Sequence, residues 1–236
     1  MNTMMKASTP FAVVVATLFT ATLGVLVAAV ADTGTSGGAT YTVSTTTIDL
    51  GADWHVTVGQ LTGGNSAVAT AFNNASIASG RTMGTMLDSD GVLRGQATFD
   101  ATPTVSFRPT TVSQVLRGVY YHQGAAHPLN AVTTVVIDTR NATPITLDDL
   151  FTDTQAGLPR LSEQTKQIWP TVYGRPMGDE PGNTPVEKNF HNWIPTAGGL
   201  EIYFEDYQFG HGQPVITIPW PQLTGLLAPD MQVLAQ

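Results

Sequence analysis

The chain has 236 residues, enough to bury a core without disulfide staples, and it has no cysteine, which excludes disulfides, thiolate zinc sites and thiol catalysis. Only 12% of the residues are charged, roughly half the usual share, so Thr, Ser, Asn, Gln and Gly must supply most of the solvated surface. The net charge is −8 and the cations are scattered, which excludes a phosphate-tracking face and with it nucleic acid as a partner.

The N-terminus places Lys6 ahead of an apolar run from Phe11 to Ala31, followed by polar, Gly-rich sequence. That order is a signal peptide's, and Ala29-Val30-Ala31 is a small-x-small site for cleavage after Ala31. The alternative is an uncleaved N-terminal membrane anchor, because the run is close to the ~20 residues that span a bilayer. Cleavage removes Lys6 and leaves 9 basic against 18 acidic residues, a mature net charge of 9 − 18 = −9. The expected protein is acidic and secreted or held in the cell envelope, with the membrane involved only through an uncleaved N-terminus.

Residues 32–40, DTGTSGGAT, have the composition of a flexible linker. TYTVSTTTIDL and DWHVTVGQL then alternate β-branched and polar residues, the period of half-buried strands. In NSAVATAFNNASIASGRTM the period changes. Val68, Phe72, Ala75 and Ser79 share one helical face, with Asn65 or Ser66 as N-cap and Gly80 as the stop. DSDG, residues 88–91, lacks the remaining ligands of a calcium loop and reads as a hairpin turn between TMGTML and VLRGQATF.

The tract TVSFRPTTVSQVLRGVYYHQG reads as strand broken at Pro109. AVTTVVIDTR is a further strand and NATP a turn. ITLDDLF opens with Thr146 as N-cap and Asp149 three residues on as a short-armed capping box. In GLPRLSEQTKQIWPTVYG, Leu161, Thr165, Ile168 and Val172 form an amphipathic face that Pro170 should kink or end. GRPMGDEPGNTPVEKN reads as a surface loop. LEIYFEDYQF and QPVITIPW are strands joined around GHG, and Pro221 opens a short closing helix. Strands interleaved with a few short helices make the fold class α+β, with mixed or antiparallel sheets.

The order YYHQGAAHP, VVIDTRNATP, ITLDDLF and GGLEIYFEDYQFGHGQPVITIPWPQL, spanning Arg117 to Pro229, resembles the secreted mycobacterial immunogenic proteins and the lysozyme-binding extracellular domain of the anti-sigma factor RsiV. This chain departs from the family turn at Ala125-Ala126, where a Gly-Gly pair is more usual. The resemblance implies two intimately packed subdomains with a β-grasp-like element. It suggests residues 1–31 as signal peptide, 32–40 as linker, 41–115 as an N-terminal subdomain and 116–230 as the RsiV-like domain. It implies a non-enzymatic envelope or extracellular protein that binds a protein, a basic muramidase among the candidates, or a wall-derived ligand. Only Met1 to Pro10 precede the apolar run, too few for a sigma-binding segment.

Candidate binding residues come from YFEDYQFGHG, where Tyr203, Glu205, Asp206, Tyr207 and His211 combine aromatic and acidic groups suited to a cationic partner. The competing reading makes the aromatics core and the acids a solvated face. Tyr121, Gly124, His127 and Pro128 form a turn motif whose role reads as structural. No spacing among His55, His122, His127, His191 and His211 has the pattern of a metal site, and no H-E-x-x-H helix is present, so neither a metal nor a cofactor is expected.

The enzyme alternative is a secreted hydrolase acting on esters or wall glycans. Ser113 and Ser162 lie outside any G-x-S-x-G elbow. Asp148-Asp149 and Glu205-Asp206 are adjacent pairs, and on a strand neighbours point to opposite faces.

Overall fold

The Thr- and Val-rich alternating segments assemble into a seven-stranded sheet in which the strand order follows the chain order from the first strand to the seventh. The computed structural model describes residues 32–51, 53–89 and 97–236. The signal-peptide reading of residues 1–31 and the Asp90-Gly91 half of the 88–91 turn lie outside the described residues, while Asp88 and Ser89 are helical and not part of a turn. The described residues form one compact unit.

The segment expected to be a linker is instead a hairpin. Strand β1 (Thr33–Ser36) pairs with β2 (Ala39–Asp49) across Gly37 and Gly38, whose φ angles of 58° and 72° a two-residue turn of the I′ type requires. Small polar residues around a Gly-Gly pair serve a linker and a hairpin equally well. Here the Gly37 N–H donates to the Pro109 carbonyl and Ser36 Oγ meets Thr139 Oγ1 at 2.9 Å, which anchors the hairpin to the sheet.

Strand β2 pairs antiparallel with β3 (Trp54–Gly63), and helix α1 (Ser66–Ser89) then returns the chain so that β4 (Ala97–Arg108) runs parallel to β3. Asn65 caps α1 as expected, its Oδ1 accepting from the Ala67 and Val68 N–H groups. Gly80 does not stop the helix, and TMGTML is helical rather than one arm of a hairpin. A Cβ at Gly80 would lie 2.7 Å from Ile48 Cδ1 and 2.9 Å from Val58 Cγ1, so this glycine lets α1 approach the sheet.

The parallel pairing is short, running only from Trp54 to Val56. Beyond it β3 and β4 diverge, and side chains take over the role of the missing partner strand. The Gly59 N–H donates to Gln114 Oε1 at 2.7 Å, while Asn73 on α1 accepts from the Leu61 N–H and donates to the Leu61 carbonyl. Gln114 is fully buried, so a polar residue in a strand interior here does backbone work.

Strands β4 and β5 (Thr111–His122) form a hairpin whose turn is Pro109-Thr110, the break that proline predicts. Strand β5 then pairs with β6 (Leu129–Asp138), and a two-residue β7 (Thr143–Pro144) completes the sheet. The motif VVIDTR closes on itself: Asp138, 1% exposed, accepts from the Arg140 backbone and guanidinium, which holds the bend after β6.

The central strands are buried on both faces. From β5, Val112, Leu116 and Tyr120 pack beneath α1, while Val115 faces a second layer. The expected subdomain line between residues 115 and 116 therefore falls inside β5, whose two faces serve both halves of the fold.

That second layer is a three-stranded sheet, β8 (Trp193–Pro195), β9 (Gly199–Tyr203) and β10 (Val215–Pro219), in the order β10-β9-β8. Helices α2 (Leu147–Leu150) and α3 (Thr154–Tyr173) precede it. The capping box at Thr146 and Asp149 forms in both directions. Helix α3 continues through Pro170, which forfeits the one bond its N–H would have donated, to end at Gly174 in the left-handed conformation. Its buried face is Leu158, Leu161, Thr165 and Trp169, and Val172 is exposed rather than part of it. Met177 and Asn183 are buried, so the Pro- and Gly-rich stretch after α3 is a packed loop containing two single helical turns. The fold is α+β, with an open mixed seven-stranded sheet and an antiparallel three-stranded one, as the periodicities predict.

Candidate functional site

Two connections meet at one end of the layered structure. The β5–β6 connection carries Gly124 to Pro128, and the β9–β10 connection carries Phe204 to Pro214. The first bends at Gly124 (φ 89°), where the Ala125 N–H donates to the His122 carbonyl. Glycine is required there because that φ strains any L side chain.

The longer connection is pinned at both ends and in its middle. The Phe204 N–H donates to the Pro214 carbonyl, and Phe204 is fully buried with Phe209 packed edge-on against it at 4.9 Å between centroids. Gln208 Nε2 donates to the Gly182 and Asn189 carbonyls at 2.7 and 2.9 Å. With Phe204 and Phe209 turned inward, Tyr207 is turned out: it is 52% exposed and adopts φ 65°, a left-handed conformation uncommon for a bulky residue.

Asp206 is the hub of this loop and not a solvated acid. Its side chain is 4% exposed, and five donors converge on it. Asn130 N–H and Nδ2 donate to Oδ2 at 2.8 and 2.9 Å. The Gly212 and Tyr207 N–H groups and His211 Nδ1 meet Oδ1 at 2.6, 3.1 and 3.1 Å. Burial opposes ionisation, but the bonds from Gly212 and Asn130 and the neighbouring His211 outweigh it, so the carboxyl sits below its ordinary pKa. An ionised carboxylate only accepts, so His211 Nδ1 carries a proton, and in the neutral ring Nε2 holds the lone pair.

Across the junction His127 completes an aromatic cluster. Its ring lies 4.3 Å from that of His211 and 5.9 Å from that of Tyr207, and the Tyr207 and His211 rings are 5.5 Å apart. His127 Nδ1 faces the Pro128 carbonyl at 3.1 Å and must donate to it, so Nε2 accepts the Tyr207 hydroxyl proton at 2.8 Å. The turn histidine thus does more than shape its own turn. It reaches a loop 80 residues away.

Other singled-out residues lie apart from this cluster or serve the fold. Tyr203 is buried; burial and its hydrogen bond to Glu201 keep its phenol protonated far above the usual range, and Arg117 stacks over its ring at 5.1 Å. Tyr121 is 42% exposed near the end of β5. Glu205 faces a different way from Asp206, with Oε1 3.5 Å from His191 Nε2, and lines an open groove together with Lys188, Asn189 and Gln208. Both acids follow β9 in an irregular turn, so they diverge for a reason other than strand alternation. His55 pairs with Asp100 across the parallel β3–β4 ladder, on an exposed face of the sheet.

Ser113 is buried in β5, and Ser162 donates its hydroxyl to the Asn183 carbonyl. Asp149 is held in the capping box and Asp148 accepts from Thr154. Among the described residues, no three His, Cys, Asp or Glu side chains are arranged to hold a metal ion. Asn130 escaped sequence reasoning although it ends the stretch YYHQGAAHPLN; an Asn beside a predicted strand start carries no signal that its amide will meet a carboxylate 76 positions on.

No protein-family model matches the chain, and no curated protein matches it in sequence. Solved structures do match it in three dimensions. A DUF3298 family protein from Pseudomonas aeruginosa PAO1 aligns with a TM-score of 0.52 at 14% identity, over 86% of this chain and 97% of that one. A member of the same family from Bacteroides fragilis NCTC 9343 aligns with a TM-score of 0.59 at 15% identity, over 85% of this chain and 99% of that one. At such identities the likeness is one of architecture, and it extends over nearly the full length of both solved chains: this protein has the α+β fold seen in DUF3298 proteins.

Proposed function

We propose that the protein is an exported binding protein of the cell envelope or medium, and that the β9–β10 loop is its recognition surface, with a basic muramidase as the partner class. The observation that carries this reading is the rigid outward presentation of Tyr207, flanked by His127, His211 and Glu205 and anchored from below by Asp206. A large amphipathic side chain fixed in advance on a surface loop loses little entropy on binding, which is how interface anchors gain their affinity. A mature charge of −9 supplies attraction to a basic protein. The sequence resemblance to the lysozyme-binding domain of RsiV supports the same partner class.

The test is association of the mature protein with a basic lysozyme at increasing ionic strength. Steering predicts an association rate that falls as the screening length shrinks to about 8 Å at physiological salt. Tyr207→Ala should weaken binding by roughly tenfold or more, and Glu205→Gln should flatten the salt dependence while leaving the fold intact. Absence of lysozyme binding even at low salt would remove this partner class and leave a wall-derived ligand.

One observation favours a second reading. Asp206 and His211 form a carboxylate–imidazole pair whose Nε2 is directed away from the carboxylate, the arrangement of a general base. Turnover of small esters abolished by His211→Ala would establish the hydrolase. Esters left untouched by the native protein would dismiss it as an esterase.

A further inference from the structure

The cluster His127, Tyr207 and His211 has the properties of a divalent transition-metal site, although the spacing of these residues in the chain has none. We infer that the Nε2 atoms of His127 and His211 and the Tyr207 phenolate oxygen together bind one Cu2+ ion in a tetragonal arrangement completed by water.

The distances carry the inference. With metal–nitrogen bonds of about 2.0 Å an imidazole centroid lies about 3.1 Å from the ion, so two ligand rings at a right angle have centroids about 4.4 Å apart and at the tetrahedral angle about 5.1 Å. The His127 and His211 centroids are 4.3 Å apart. The Tyr207 hydroxyl and His127 Nε2 are separated by 2.8 Å, the span of a right angle between two bonds of about 2.0 Å. Right angles among nitrogen and oxygen donors suit Cu2+ and Ni2+, and of the two Cu2+ binds such donors more tightly. Zinc in a closed tetrahedral site would lack a fourth protein ligand here.

The surroundings of the three donors point the same way. Metal-bound histidines use the second ring nitrogen to donate to a carboxylate or a carbonyl, and that bond fixes the tautomer. Both histidines already do so, His211 to Asp206 and His127 to the Pro128 carbonyl, which turns each Nε2 into an acceptor; the hydrogen bond that His127 Nε2 accepts from the Tyr207 hydroxyl is the one that the ion replaces. Asp206 is itself locked by Asn130 and Gly212, so the His211 ring is oriented before any ion arrives. All three donor residues are exposed, which leaves the ion an entry path and room for water ligands. Binding displaces the Tyr207 hydroxyl proton to solvent, so occupancy increases with pH.

This site does not depend on the muramidase reading, and its test uses no protein partner. The mature protein is titrated with Cu2+ under glycine competition, followed by calorimetry, electron paramagnetic resonance and visible absorption. One equivalent should bind, with coupling to two nitrogen nuclei and a phenolate-to-copper charge-transfer band. His127→Ala and His211→Ala should each lower affinity at least tenfold, and Tyr207→Phe should abolish the band. His55→Ala and His191→Ala should change nothing. Thermal unfolding of each metal-free variant separates lost binding from lost structure. Failure of the native protein to bind one equivalent, or undiminished binding in the folded His127→Ala/His211→Ala double variant, overturns the assignment.

Discussion

Removing the Asp206 carboxylate should be the most damaging single change in the recognition loop, although the residue sits in a surface connection. Asp206→Ala strands five donors, two of them, the Tyr207 N–H and His211 Nδ1, on residues exposed enough to recover water. The Asn130 and Gly212 groups are part-buried and lose a charged acceptor, a loss of about 1–3 kcal/mol each before water enters. Allowing for that entry, we expect about 3–4 kcal/mol in all, which in a domain of this size lowers Tm by about 10 °C. Asp206→Asn keeps one acceptor oxygen but turns an NH2 toward donors, so it should lose about half as much.

The assay is chemical and thermal unfolding with EDTA present, repeated across acidic pH. The folded pKa of Asp206 lies below its unfolded value of ~3.9. Its contribution is therefore complete above the unfolded value and is lost as pH falls through the folded one. The gap between native protein and Asp206→Ala should accordingly narrow below about pH 4. An Asp206→Ala protein within about 0.5 kcal/mol of the native at neutral pH would refute the hub and restore the solvated-acid reading.

Gln114→Ala should cost about 2–4 kcal/mol, because it leaves the buried Gly59 N–H without its acceptor and opens a cavity; the Gly59 amide should also exchange its hydrogen faster, and unchanged protection would contradict the role given to the side chain. Gly199→Ala should prevent stable pairing of β9 with β10, since a Cβ there runs into the Ile218 carbonyl oxygen, a backbone atom that cannot rotate away; wild-type Tm in that variant would be incompatible with the close approach. N-terminal sequencing of exported protein should begin at Asp32, and recovery of an intact N-terminus from membranes would identify the apolar run as an anchor.

Local chemistry was legible in the sequence where a specific side chain caps or breaks an element. The Asn65 cap, the Thr146–Asp149 box and the turn at Pro109 each depend on residues a few positions apart, and each forms as read. The α+β class followed from changes of period along the chain. Misreadings arose where one composition serves two structures: a Gly-Gly pair among small polar residues became the β1–β2 hairpin, and Gly80 became a packing contact rather than a helix end.

What only the tertiary structure decided are the partners separated by long stretches of chain. Gln114 finds Gly59 because β3 and β4 diverge after three paired residues, an event set by how α1 seats on the sheet. His127 and Tyr207 stand 80 positions apart and Asn130 and Asp206 stand 76 apart, yet each pair shares a hydrogen bond. The sequence alone determined which residue types occupy the two loops. Stacking of the three-stranded sheet on β5 and β6 brings those loops to the same end of the molecule, and a pattern of residues along one strand or helix contains no information about which distant loop will face it.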